Sequence, residues 1–251
     1  MPSPLALTSR AKILLAIGLV VLVGLSVHRM WFAEVPGPYV SFGGSTMGTS
    51  WEVKLSGTRL RPNDIRAAAA ASERALDEVV ALMSTWEPDS EISRFNAHHS
   101  EAPFPVTPET LEVVIAAQVV SRTTGGAFDI TVGPLVDAWG FGPDGPPEIP
   151  PDPERIEAIQ QEVGFQRLEV DSLAGTLRKK KSKLEIDLSA IAKGYAVDQV
   201  ARALDDLGHH DYLIEVGGEI RTAGQKNGGR AWRWPSSDPP REIGRSRKPW
   251  N

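Results

Sequence analysis

One junction constrains this chain more than any other: Glu185-Ile-Asp-Leu-Ser-Ala-Ile-Ala-Lys-Gly-Tyr-Ala-Val-Asp198. The apolar segment Leu184 to Leu188 reads as a short strand, and the spacing after Ser189 reads as a helix. Asp187 then falls near the strand end, with Ser189 placed to cap the helix. Backbone N–H groups are free at a helix start and favour anions, and Lys193 adds a positive charge about one turn further on. Two readings fit these residues. One is a salt-bridged strand-to-helix junction, and the other is a site for a phosphorylated ligand.

The chain has 251 residues, 41% of them hydrophobic, enough for one large domain or two small ones. A net charge of −5 argues against a dedicated nucleic-acid binder. With no cysteine, disulfides, thiolate metal sites and a thiol nucleophile are excluded.

Arg10 and Lys12 precede an uncharged apolar run from Ile13 to Val27. A basic segment followed by an apolar one is the pattern of an export signal or membrane anchor, expected here over residues 1–34. Gly24-Leu25-Ser26 makes a poor cleavage site, and Trp31 suits a membrane interface, which favours an uncleaved anchor with the N-terminus inside. Residues 35–42, with Val35-Pro-Gly-Pro38, are expected as a linker, and 43–234 as the exported domain.

In that domain Trp51, Val53 and Leu55 alternate with Glu52 and Lys54, which predicts a half-buried strand. Gly43 to Ser50 before it lacks a Gly-Lys-Ser/Thr ending, so it is no P-loop. It is either a glycine-rich hairpin turn or a place for close backbone approach to a ligand. A helix is expected from about Asn63 to Met83, and Pro88 prevents it from running on. Trp86 in the polar loop either packs that loop down or stacks on a ligand ring, and His98 and His99 read as solvated. Thr107-Pro108 starts a helix that Gly125-Gly126 stops. Asp129 lies among apolar residues and needs a partner, whether backbone amides or a ligand.

Asp152-Pro153 opens another helix, and Leu168 to Val170 with Thr176 to Arg178 predict a hairpin. Lys179, Lys180 and Lys181 read as a solvated turn. His209-His210-Asp211 holds metal-ligand types, although adjacent residues at a helix end rarely converge on one ion. Tyr212 to Val216 predicts a strand delivering Glu219 beside Gly217 and Gly218. Residues 235–251 carry no periodicity and read as an unstructured tail.

Five stretches in this order resemble the ApbE family of flavin transferases: Thr46-Met-Gly-Thr49, Met83-Ser-Thr-Trp86 with Ser93-Arg-Phe-Asn96, Gly126-Ala-Phe-Asp129, Asp187 to Asp198, and Glu215-Val-Gly-Gly-Glu-Ile-Arg221. The resemblance runs from Gly43 to Trp232. It implies an α+β fold with T-fold-like mixed sheets and packed helices enclosing a flavin cleft, preceded here by one N-terminal hydrophobic helix. It also implies a reaction: FMN is transferred from FAD to a Thr or Ser hydroxyl of a target protein, with Mg²⁺ at the pyrophosphate and AMP released. By the same resemblance Met47, Trp86, Ala127, Phe128, Asp129, Asp187 and Lys193 would bind FAD, and Ala190 would offer its backbone carbonyl to Mg²⁺. The implied partners are flavoprotein subunits of respiratory electron-transfer complexes, met at the periplasmic face of a bacterial inner membrane. The family's later His-Ile-Ile-Asp-Pro-type and Asp-x-x-x-Thr-type motifs, with the candidate general-base histidine and the side-chain Mg²⁺ ligands, do not occur after Trp232. The expectation is therefore a shortened chain, inactive or poorly folded, whose alternative function is non-catalytic FAD binding.

Overall fold

The computed structural model describes Leu19, residues 21–23, 39–57, 60–143 and 145–233. The expected anchor lies outside the described residues apart from Leu19 and 21–23, which are helical and exposed. The expected tail, 235–251, lies wholly outside them. Among the described residues no helix is long and apolar enough to cross a membrane.

Among the described residues from 39 onward, two antiparallel sheets and six α-helices share the chain, an α+β arrangement. The first hairpin pairs β1 (Val40–Thr46) with β2 (Thr49–Leu55) through a two-residue turn at Met47 and Gly48. β1 begins inside the stretch expected as linker, because Val40 already pairs with Leu55. The glycines here serve the hairpin. A side chain on Gly43 would meet the Trp51 carbonyl oxygen at 2.2 Å, so the strands close only over glycine. Trp51, Val53 and Leu55 are buried, as their alternation predicts.

The chain then forms α1 (Pro62–Met83), with Pro62 at its first position and the Asp64 carboxylate accepting from the Arg61 N–H at 3.1 Å. Ala68, Ala71, Ala75, Leu76, Val79 and Met83 form its buried stripe. A helix not expected from the sequence, α2 (Glu91–Ala97), comes after the Pro88 turn, capped by the Ser90 hydroxyl accepting from Ser93 N–H. β3 (Phe104–Pro105) leads to α3 (Pro108–Thr123), capped as expected by Thr107. After the short α4 (Gly133–Ala138) comes α5 (Pro153–Gln160), capped by Asp152. β4 (Leu168–Asp171) and β5 (Thr176–Lys179) make the predicted hairpin, and β3 joins it as a third strand in the order β3-β5-β4.

The last described elements are α6 (Ser189–Asp206), β6 (Tyr212–Val216) and β7 (Glu219–Ala223). β6 pairs with β2, giving the larger sheet the order β1-β2-β6-β7. α1 and α6 pack side by side on this sheet, with Ala192, Ala196, Val200 and Leu204 buried in the same core as Leu55, Leu76 and Ile214. Alanines on both helices let the backbones approach, so the layer closes without large side chains between them.

Two expectations at the central junction are corrected. Leu184 to Leu188 is not a strand, and Ser189 is not the cap. The helix starts at Ser189 itself, and the Asp187 carboxylate accepts from the Ser189 N–H at 2.7 Å, taking the role expected of the hydroxyl. No strand forms because the backbone of this segment bonds elsewhere. Ile186 N–H donates to the Asn96 side-chain oxygen, the Asn96 amide donates to the Ile186 carbonyl, and Asp187 N–H donates to the Ile130 carbonyl.

Candidate functional site

The loop after α1 is held by its own hydroxyls. Ser90 and Ser93 Oγ both donate to the Ser84 carbonyl, at 2.6 and 3.2 Å, and the Trp86 N–H donates to Ser84 Oγ at 3.2 Å. These bonds fix the backbone from Ser84 to Ser93 without using the Trp86 ring. The ring is 59% exposed, so it does not pack its loop down. Of the two readings for this tryptophan, ligand stacking is the one the geometry leaves room for.

Trp86 stands at a cleft of about 350 Å³ lined by Met47, Met83, Thr85, Trp86, Ala192 and Lys193, among others. Four elements meet there: the β1–β2 turn, the C-terminal end of α1, the loop after it, and the start of α6. Met47 holds a positive φ of 49°, a backbone cost that presents its side chain at the cleft. Behind it the β6–β7 turn comes close, with Gly217 N–H donating to the Ser50 carbonyl. A side chain on Gly217 would meet Thr49 Cγ2 at 2.7 Å and Lys193 Cδ at 3.1 Å. The glycine thus makes room for the aliphatic stem of Lys193, which lines the cleft.

A smaller recess of about 250 Å³ shares Thr85 with the cleft and is lined by Ser93, Asn96, His99, Asp137, Glu185 and Asp187, among others. Burial, helped by the charge of Asp137, pushes the Glu185 carboxyl above its ordinary value, with Lys179 and His99 opposing. Apolar cleft, exposed indole and one lysine together suit a ligand with a flat aromatic ring and an anionic group within reach of Lys193.

Residues 47–247 match the model of the ApbE family. The chain belongs to the ApbE family. It is 42% identical over 202 residues to the FAD:protein FMN transferase of Vibrio cholerae serotype O1, covering 80% of this chain and 59% of that protein. The FAD:protein FMN transferase of Haemophilus influenzae is 38% identical over 203 residues, covering 77% and 57%. The structure of the flavin transferase ApbE from Vibrio cholerae aligns with TM-score 0.74 at 41% identity, covering 79% of this chain and 63% of that one. The apo flavinyl transferase ApbE of Pseudomonas stutzeri aligns with TM-score 0.70 at 34% identity, covering 78% and 64%. The chain therefore spans less than three-fifths of the length of these curated relatives.

Of the residues implied by resemblance, this ApbE chain brings Met47, Trp86 and Lys193 to one cleft and Asp187 to the adjoining recess. Ala190 is exposed in the first turn of α6. Ala127, Phe128 and Asp129 line neither space, but are joined to the recess through the Ile130 carbonyl that holds Asp187. Ala127 is exposed, and Phe128 packs partly against the core. The Asp129 carboxylate accepts from Thr131 N–H, Thr131 Oγ and Phe165 N–H at 2.7–2.8 Å. Amides and a hydroxyl are thus its partners in this structure.

Lys179 corrects the sequence reading. It is 1% exposed rather than solvated, with its ammonium donating to the Asn96 carbonyl at 2.9 Å and lying 4.7 Å from the Phe95 ring centre. Strand parity explains this: Lys179 lies two residues after buried Leu177 and so shares its inward face. His98 also departs from expectation, its ring packing 5.4 Å from that of Phe104. His210 pairs with Asp205 at 3.0 Å, while the Asp211 carboxylate accepts from Gln225 N–H, so these neighbours serve separate partners. The predicted strand Tyr212–Val216 is largely buried, and Glu219 stands exposed at the start of β7 beside Gly217 and Gly218. Asn96 and Ser84 fall inside recognised stretches but were given no role, and Ser90 was not singled out at all. Their roles rest on backbone groups far along the chain or across a turn, which no residue-type signal reports.

Proposed function

We propose that the Met47–Trp86–Lys193 cleft binds FAD and that the protein transfers FMN from it to a Thr or Ser hydroxyl of a target flavoprotein. The observation that carries this reading is the indole of Trp86, held exposed by its loop over an apolar cleft, with a lysine reaching the same space. Membership of a family whose relatives are named FAD:protein FMN transferase supports it. In the transfer the hydroxyl oxygen attacks the phosphorus on the FMN side. A new P–O bond forms, the bond to the bridging oxygen breaks, AMP departs with that oxygen, and the hydroxyl proton is released. Lys193 would offset pyrophosphate charge, and Trp86 with Met47 would fix the flavin ring.

Magnesium enters the proposal through the Ala190 carbonyl, a hard oxygen at the start of α6. Among the described residues no three or more His, Asp or Glu side chains are arranged to hold a metal, so no step is assigned to the ion. The basic and then apolar stretch before Tyr39 supports a domain facing the periplasm from a bacterial inner membrane, and the family resemblance supports respiratory flavoprotein subunits as targets there. An alkaline-phosphatase fusion after Trp232 reads the orientation, and lack of phosphatase activity rejects it.

The test of the reaction uses the full chain in detergent. FAD is titrated by flavin fluorescence, then incubated with the chain, Mg²⁺ and a threonine-bearing target segment. A target mass increase equal to one phosphoester-linked FMN is expected. Saturable FAD binding with no mass increase would instead favour a non-catalytic FAD-binding protein, and no binding at all would reject both.

A further inference from the structure

We propose that Asn96 is a positioning residue for the flavin site, its carboxamide standing in for a missing strand and so fixing where Asp187 lies. This rests on the FAD reading above. The carboxamide makes two bonds to one residue: Nδ2 donates to the Ile186 carbonyl and Oδ1 accepts from the Ile186 N–H, both at 2.9 Å. That is the paired exchange by which two residues meet in an antiparallel sheet, supplied here by a side chain. The next N–H, of Asp187, is taken by the Ile130 carbonyl at 2.7 Å, and the Asp187 carboxylate accepts from Ser189 N–H. Asp187 is therefore held from three directions: through Ile186 by the Asn96 carboxamide, through its own N–H by Ile130, and through its carboxylate by the first turn of α6.

Asn96 is itself held. Its carbonyl accepts from the Lys179 ammonium, which lies over the fully buried Phe95 ring. The same short helix anchors the Trp86 loop through Ser90 and Ser93. The start of α2 thus ties the loop bearing Trp86, and its last turn ties the segment bearing Asp187. The Ser93-Arg-Phe-Asn96 stretch, which contributes no member of the implied FAD set, sets the spacing between two that do. Only asparagine suits the position: an ionised aspartate lacks the donor, glutamine is one methylene too long, and alanine offers neither bond.

The test compares FAD affinity of the full chain, wild type against N96D and N96A, at pH 8 and pH 5. The ionised carboxylate of N96D loses the donor to Ile186, whereas its protonated form restores one donor and one acceptor. N96D should bind FAD about tenfold more weakly than wild type at pH 8 and recover part of that loss at pH 5, where a carboxyl facing the Ile186 carbonyl begins to take up its proton, and N96A should stay weak at both. Lys179, His99, Asp137, Glu185 and Asp187 titrate or carry charge around the same space, so the ratio to wild type at each pH is the quantity read. Folded N96D with wild-type affinity at both pH values overturns the proposal. Should neither variant fold, wild-type amide exchange decides: FAD should slow exchange over residues 184–189, and unchanged exchange there overturns it. Absence of FAD binding by the wild type is a different result, a failure of the flavin reading seen before any variant is compared.

Discussion

Three lysines in a row, Lys179 to Lys181, do not share one environment once β5 is formed, and the buried one carries a measurable cost. Burial lowers the Lys179 pKa from the ordinary 10.5 to about 8, with Glu185 pulling the other way. Between those values the unfolded chain keeps the proton that the folded chain has released. Stability contributed by the neutral amine is thus present above 10.5 and lost as pH falls towards 8. Urea unfolding at pH 8 and pH 10 should show wild type gaining stability relative to K179M across that window; a constant difference would refute the assignment. Trp86 is the opposite case, a large apolar side chain left in solvent. W86A should change unfolding free energy by no more than about 0.5 kcal/mol. It should weaken FAD binding by about tenfold, as removal of an aromatic stacking partner does. Comparable losses in both would mean the ring serves the fold.

Among the elements, α3 shows how a cap readable in sequence acquires a hidden partner. Thr107 accepts from Thr110 N–H as its residue type predicts, but its own N–H and hydroxyl donate to the two oxygens of buried Glu91, each at 2.9 Å. One threonine therefore joins α2 to α3. T107A should cost about 2 kcal/mol, above a surface cap alone, because it removes a bond from a buried carboxylate. Chemical denaturation measures this, and a loss below about 0.5 kcal/mol would show the Glu91 link to be dispensable. Helix starts were legible where capping gave a local signal: Thr107-Pro108 and Asp152-Pro153 both open helices. The fate of Leu184 to Leu188 was not, because apolar residues report burial and cannot report which partner takes the backbone bonds.

At the scale of the molecule, the candidate site lies where independent elements end together. The β1–β2 and β6–β7 turns share one end of the larger sheet because β2 pairs with β6, with Trp51 opposite Val216. α6 then runs back over that sheet from its start beside both turns. A ligand bridging turn, loop and helix start should stabilise the whole fold rather than one element. FAD at a hundred times its dissociation constant should raise unfolding free energy by about 2.7 kcal/mol in a single cooperative transition. A calorimetric scan with FAD that leaves the midpoint unmoved would count against the cleft as its site. Ion pairing between α6 and β7, through Asp198 and Arg221, belongs to the same convergence and links two of the recognised stretches.

The sequence by itself determined most of the helices, the Thr107 and Asp152 caps, the β4–β5 hairpin and the order of five motifs, since each depends on neighbours a few residues apart. Of the side chains named by resemblance, Met47, Trp86 and Lys193 share the cleft. Tertiary structure alone decided how they are held. Asn96 reaches Ile186 across 90 residues, Lys179 reaches Asn96 across 83, and Gly217 clears space for a lysine on another element. Such bonds satisfy buried backbone groups from a distance, and their partners exist only after the layers have closed.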